Sequence, residues 1–356
     1  MPARVARSRL RHVASCLSHP RLGAASGDGG VGAASAGGGG RPGRVLAIQS
    51  HIVHGNLGNK CAVFPLQLLG YEVDNISTVQ YSHMGAGRQG TILSGEQLTA
   101  LIDGLEANGL LGTYSHILTG WAADAGLLRA VAAAVRRVRK ANPAAIYVCD
   151  PVLGDNGSLY TPEGLAAIYR DELVPQAQVV TPNAFEAELL TGSPCTTEEE
   201  GLAACAALHA AGPTDVIISS IEQPETIALL GSSTAAEGQR SFRIDVPKIE
   251  GYFGGTGDLL AGLLLAHGAA HPADWARAAR LAVGSVQAVL ARTLEARRAA
   301  GDEAGHGGLE LVASSGVILS PPASGPIFSD GWIAKRPAPD QETRRPWRRL
   351  LTGEAH

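Results

Sequence analysis

The stretch "AIYVCD", residues 145–150, is an apolar run that ends on an acid. It reads as a strand short enough to be buried on both faces of a sheet. Outward from it the pattern returns in "HILTG" (116–120) and "RVLAIQS" (44–50) upstream, and in "QVVTPN" (178–183) and "DVIISS" (215–220) downstream. "EVDNISTVQYS" (72–82) contains a further strand. Between two of these runs, Leu127, Leu128, Val131, Val135 and Val138 share one helical face. Arg136, Arg137, Arg139 and Lys140 close that helix, where cations suit the negative end of its dipole. Strands that alternate with helices predict an α/β fold, a mainly parallel central sheet with helices on both faces. "ETIALLGS" and "SFRIDVPKI" predict a small antiparallel β hairpin at one edge. Helices from Leu259 and from about Asp274 to Arg298 complete the domain.

In open α/β sheets, ligands sit beyond the carboxyl ends of the strands. The polar residues there are Ser50, Asp150, Thr181, Asn183, Ser219 and Ser220, with Asp155 and Glu186 just beyond. Each also has a plain use as a turn former or helix cap. Together they put three acids near one rim.

The same rim is expected to receive "GYFGGTGDLLAGLLLAHG", residues 251–268. Leu259, Leu260, Leu263 and Leu264 recur at helical spacing straight after Asp258, so a glycine loop breaks into a helix with an acid in its first turn. Such a helix end offers unpaired N–H groups and a positive dipole end to an anion. Gly255, Thr256 and Gly257 then hold a phosphoryl group, and Asp258 accepts the proton of an attacking substrate alcohol. A magnesium ion reconciles the rim acids with phosphates. Taken alone, the motif is equally a glycine turn whose acid favours a helix start. "GAGRQG" (85–90) has the dinucleotide spacing G-x-G-x-x-G, but "TILSGEQL" after it opens no good helix, and no P-loop motif occurs.

Of the 356 residues, 45% are apolar and 17% charged, a soluble globular composition sufficient for one large domain. A net charge of −4 argues against bulk binding to nucleic acid or an anionic membrane. No apolar run approaches the ~20 residues that span a bilayer. Cys16, Cys61, Cys149, Cys195 and Cys205 show neither a C-x-x-C pair nor zinc spacing, and read as reduced thiols. His51, His54 and His83 also lack a ligand spacing. Residues 1–43 are rich in Gly, Ala, Ser and Arg with a single acid, Asp28. They read as a disordered extension of a cytoplasmic protein or, from their Arg-rich start, as a chloroplast or mitochondrial transit peptide. Residues 323–356 are Pro-rich, carry "RRPWRR" (344–349), and read as a loose disordered tail. Residues 44–322 remain as the folded domain.

From about Val45 to Pro322 the chain resembles the pyridoxal kinases of the ribokinase superfamily. The matching pieces are "IQSHIVHGNLGNKCAVFPLQLLGYEVD", "TVQYS", "ILTGW", "YVCDPVLGD", "TPNAFEAELLTG" and "GTGDLLAGLLLA", in the family's order and spacing. The resemblance implies a ribokinase-like three-layer fold. It implies ATP-dependent transfer of the γ-phosphate to the 5′-hydroxymethyl group of pyridoxal, pyridoxine or pyridoxamine. It also implies a homodimer, magnesium (Mg2+) and a monovalent cation, usually K+. By motif, Asp258 is the base, and Gly255, Thr256 and Gly257 form the anion hole. Ser50 matches a contact to the pyridine ring, and Trp121 stands where the family usually has Tyr. Asp150, Thr181, Asn183 and Ser219 match positions around ATP, which Gly255 and Thr256 also touch. Asp155 and Glu186 match acids that hold magnesium.

The chain departs from the family at "YSHMGAGRQG", where members usually read F-S-N-H-T followed by W-x-G, a segment that closes over the pyridine. Met84 lies near the expected Thr. "DNGSLY" (155–160) lacks the longer Gly-rich lid of some members. Two other readings share the motifs: a hydroxymethylpyrimidine kinase, which "IQSH" and "FPLQLLG" disfavour, and a catalytically weakened vitamin B6-binding protein.

Overall fold

The structure is a computed structural model that describes residues 43–235, 240–301, 308–322 and 329–333. Its strands are β1 (Arg44–Ile52), β2 (Glu72–Tyr81), β3 (Gly90–Ile92), β4 (His116–Thr119), β5 (Ile146–Cys149), β6 (Gly154–Asp155), β7 (Ser158–Leu159), β8 (Val179–Val180), β9 (Asp215–Glu222), β10 (Thr226–Ser233), β11 (Arg240–Pro247) and β12 (Ser329–Ile333). Its helices are α1 (Asn59–Leu68), α2 (Gly95–Ala107), α3 (Ala125–Ala141), α4 (Leu165–Ile168), α5 (Ala184–Thr191), α6 (Glu198–Ala211), α7 (Thr256–Ala270), α8 (Trp275–Ala300) and α9 (Ser315–Leu319).

All strands but β6 and β7 join one sheet in the order β12-β11-β10-β9-β8-β5-β4-β1-β2-β3. From β9 to β2 every pairing is parallel. The expected edge hairpin is β10 and β11, antiparallel to each other, with β10 also antiparallel to β9. β12 adds a further antiparallel strand beside β11, inside the segment read from sequence as a loose tail. β6 and β7 pair separately around Asn156–Gly157, both at positive φ, which is the Asn-Gly chemistry of a tight hairpin turn.

The parallel strands are apolar on both sides because both faces are covered. Leu46 and Ile48 of β1 pack in the core that holds residues of α2, α3, α5 and α6, whereas Val45 meets α1 and α7 on the other face. Helix α8 adds Ala279, Val283 and Val286 to that second layer. The predicted apolar face of α3 is buried throughout, its start is capped by Asp124, and Arg139 and Lys140 end it.

A second element differs from expectation. A helix, α2, does follow "TILS", because Ser94 and Gln97 cap each other reciprocally: Gln97 N–H donates to Ser94 Oγ and Ser94 N–H to Gln97 Oε1. It starts only after β3, so Gly85–Gly90 is a turn between two antiparallel strands and not a strand-to-helix phosphate loop. The four described cysteines are buried and free. No helix among the described residues is long and apolar enough to cross a membrane. Residues 1–42 and the "RRPWRR" run lie outside the described residues.

Candidate active site

Among the described residues seven helices run eight residues or more, and five of them begin with a side chain closing the first turn: Ser94, Asp124, Asn183, Thr197 and Asp274. The other two, α1 and α7, start on glycine with no side-chain cap. An uncapped first turn leaves backbone donors for a ligand. Gly255, at φ 89, is the cap residue of α7, and the strain a side chain would meet there explains the glycine. Thr256 turns its hydroxyl back onto the Phe253 carbonyl at 2.7 Å, which fixes the turn without using an amide. A side chain at Gly257 would meet open space, so that face of the turn is free to receive a group.

The two uncapped ends face each other. Gly58 N–H, at the cap of α1, donates to Asp258 Oδ2 at 2.9 Å. The helices close-pack behind this contact: a Cβ on Gly262 would lie 3.0 Å from the Ala62 backbone. Asp258 is half-buried, and the desolvation of its carboxyl pushes it up to about 6, with the Gly58 hydrogen bond pulling the other way. Near neutral pH it is therefore ionised yet readily protonated, which suits a general base.

Asp150 follows β5 and Glu186 sits in the first turn of α5, both buried. Thr181 donates its hydroxyl to Asp150 Oδ1 at 3.0 Å, while Asp150 Oδ2 has no hydrogen-bond partner. Glu186 Oε1 accepts from Leu153 N–H at 2.9 Å, and its Oε2 accepts from Asn183 N–H at 2.8 Å. Asn183 returns the bond to Glu186 N–H and donates its amide to the Gly154 carbonyl at 2.8 Å. Burial raises the pKa of both acids; Asp150 is raised further by Glu186 and then by Asp258, so it feels both neighbouring carboxylates. Among the described residues no ion pair reaches any of them. Buried like charges with one unpartnered oxygen fit a cation. Among the described residues no group of three or more His, Cys, Asp or Glu could by itself hold a metal ion.

The other expected residues lie around this centre. Ser50, near the end of β1, has its hydroxyl against the α-carbon region of Gly58. Asp155 is half-buried in β6 and accepts from Asn156 N–H at 2.9 Å; burial, then Glu222, raises its carboxyl. Ser219 N–H donates to the Pro182 carbonyl at 2.9 Å, beside an irregularity between β9 and β10 where Ser220 holds φ 81. Trp121 follows β4, and its carbonyl accepts from Thr78 Oγ1 at 2.8 Å. Sequence reasoning missed two contributors. One is the β1–α1 loop that seats Asp258. The other is Met84, whose sulfur would be 2.9 Å from a Cβ on Gly254 and so roofs the glycine turn.

Comparison with known proteins follows the same lines. The family model described as phosphomethylpyrimidine kinase matches residues 113–303. A pyridoxal kinase of Arabidopsis thaliana is 49% identical over 285 residues, covering 78% of this chain and 92% of that protein. One of Sus scrofa is 42% identical over 283 residues, covering 75% and 88%. Among solved structures, pyridoxal kinase from Leishmania donovani in complex with ADP and pyridoxamine is similar at a TM-score of 0.75 and 32% identity, over 82% of this chain and 99% of that one.

Proposed function

The chain belongs to the pyridoxal kinase family, and from that premise we propose how its rim performs the ATP-dependent phosphorylation of the 5′-hydroxymethyl group of pyridoxal, pyridoxine and pyridoxamine in vitamin B6 salvage. The observation that carries the reading is the half-buried Asp258 carboxylate, held by Gly58 N–H at the uncapped start of α7. Asp258 takes the proton of the 5′-hydroxyl as its oxygen attacks the γ-phosphorus. The bond from that phosphorus to the β–γ bridging oxygen breaks, and ADP leaves with the electron pair. The amides of Gly255, Thr256 and Gly257 hold the transferred phosphoryl while its charge redistributes. Ser50 and Trp121 orient the pyridine ring, and Thr181, Asn183 and Ser219 line the nucleotide side. Asp155 and Glu186 would hold magnesium, with the unpartnered Asp150 Oδ2 facing the nucleotide side; the ion would supply charge neutralisation at the phosphates. K+ and a homodimer remain expectations of the family resemblance, checked by salt substitution and by sedimentation.

The test is steady-state turnover of pyridoxal, pyridoxine, pyridoxamine and hydroxymethylpyrimidine with MgATP. The expected result is turnover of the B6 vitamers above the pyrimidine. The reverse order would favour the second reading, a pyrimidine kinase, which the family model's description supports. Binding without turnover of any vitamer would leave a B6-binding protein. We also propose residues 44–322 as the catalytic domain, with 1–43 dispensable for turnover and residues 329–333 extending its sheet as β12. Fusing residues 1–43 to a fluorescent reporter separates a cytoplasmic protein from one carrying a chloroplast or mitochondrial address.

A further inference from the structure

We propose that Gly58 is the positioning residue for the catalytic base: its backbone N–H fixes the orientation of the Asp258 carboxylate, and the loop 53–61 is built to present that one donor. The inference rests on Asp258 acting as the base.

Gly58 has φ 59 and ψ −129, a conformation that side chains strongly disfavour. It is also sterically closed. A Cβ there would lie 2.2 Å from the Ser50 carbonyl oxygen and 2.4 Å from Ser50 Oγ. Only glycine can bring its amide this close to the end of β1 and still point it at Asp258.

The surrounding loop is fastened from several sides. Asn59 donates its amide to the Gln49 carbonyl at 3.1 Å, tying the start of α1 to β1. Lys60 donates to the carbonyls of Val53 at 2.6 Å and Gly55 at 2.9 Å, closing the loop on itself. Asn56 donates to the Leu309 carbonyl at 2.6 Å, anchoring the loop to a distant segment. The catalytic turn rests on this platform. A Cβ on Gly255 would meet Cys61 Sγ at 2.6 Å and the Asn56 carbonyl at 3.2 Å, and one on Gly254 would meet Leu57 at 3.1 Å. The loop that carries Gly58 therefore touches Ser50 on one side and the glycine turn on the other. It holds the ring contact and the base in a common frame.

This arrangement also explains why α1 has no side-chain cap. Gly58 N–H is spent on Asp258 Oδ2, leaving Oδ1 free to accept the substrate proton. A carboxylate held by one backbone donor keeps one oxygen aimed, whereas an unheld one rotates. Loss of aim lowers the rate of proton transfer without weakening the binding of either substrate.

The direct test replaces Gly58 by glycolic acid during translation, which exchanges the N–H for oxygen and adds no side chain. The same replacement at Gly109, whose N–H donates to the Glu106 carbonyl in an exposed turn, controls for the loss of one hydrogen bond. The expected result is kcat lower by about ten- to a hundredfold at position 58, KM for ATP and for pyridoxal within about twofold, and no change at position 109. A kcat within about twofold of wild type at position 58, in an enzyme that Asp258→Asn inactivates, would overturn the proposal. If Asp258→Asn stays active, it is the base assignment that fails, whatever Gly58 does. A second measurement needs no altered Gly58. In glycine-labelled wild-type enzyme the Gly58 amide proton is expected downfield and slow to exchange, and Asp258→Ala removes both properties. A Gly58 amide that exchanges freely in the wild-type enzyme also overturns the proposal.

Discussion

The two ends of the central sheet hold their buried titratable groups differently: crowded acids at one, histidines and a single acid, Asp215, bonded by the Thr214 and Ser233 hydroxyls, at the other. At the carboxyl end, the buried Asp150 and Glu186 and the half-buried Asp258 are acids whose pKa values all rise, so their charged forms are disfavoured where they sit. At the amino end, His116 begins β4 and His267 lies in the last turns of α7, and burial lowers both imidazoles to about 4. The histidines are at ease at neutral pH, because burial favours the neutral form they already have. The acids are not, since ionising them crowds negative charge without a cationic side chain. Proteins retain such local conflict where a ligand resolves it. The contrast separates a functional end from a structural one without reference to any motif.

The sharpest way to break this contrast is Asp258→Asn. It keeps the shape and the oxygen that Gly58 N–H reaches, but removes the proton acceptor. A fall in kcat of about 10²–10⁴-fold is expected, with a melting temperature no lower than wild type. Turnover within tenfold of wild type would return the glycine turn to a plain helix start. The next effect is smaller and has two signs. Asp150→Asn deletes a buried charge whose Oδ2 has no partner, while Thr181 can still donate to the amide oxygen. Without ligands its melting temperature at pH 8 is expected to rise, by about 2–4 °C for each kcal/mol relieved. With MgATP the order reverses, and KM for the nucleotide rises by about tenfold as a charge facing the cation is lost. A ligand-free melting temperature below that of wild type would show that the rim is not in conflict.

How legible these features were in the sequence depended on how local they are. Strand ends, the α3 face and the β10–β11 hairpin were readable because period and turn chemistry lie within a few residues. The Gly255–Asp258 turn was readable for the same reason. Helix α2 was not, since its start depends on one reciprocal cap between Ser94 and Gln97 that the neighbouring Gly95 and β-branched residues obscure. "QVVTPN" was read as a strand, but only Val179–Val180 pairs, because the chain turns into the cap of α5 at Asn183. The contact between Gly58 and Asp258 spans 200 residues of sequence, and no periodicity reports it. The unpartnered Asp150 Oδ2 is a property of burial from several elements at once and has no sequence signature.

The smallest effect belongs to the quiet end, and its sign distinguishes the two ends. A histidine whose folded pKa is near 4 and whose unfolded pKa is near 6.5 binds fewer protons when folded. Its penalty is therefore absent above about pH 6.5, grows as pH falls, and stops growing below about pH 4. The rim acids act the other way, since their raised pKa values let the folded state take protons first as pH drops. The two trends overlap in wild type, so total stability against pH does not separate them. His116→Phe and His267→Leu do, because each variant shares the rim with wild type and the carboxylates cancel in the difference. His116 is met edge-on by the Tyr71 ring and bonded through Nδ1 to Ser115 Oγ at 2.9 Å, and the charge of His271 faces His267. Each variant is expected to match wild-type kcat and to be relatively more stable as pH falls from 6.5 to 4. If only about 1 kcal/mol of each penalty is realised, the gap in melting temperature widens by about 2–4 °C across that window. A gap that stays constant with pH would mean the imidazoles reach water when protonated, and the contrast between the two ends would then reduce to the carboxylates alone.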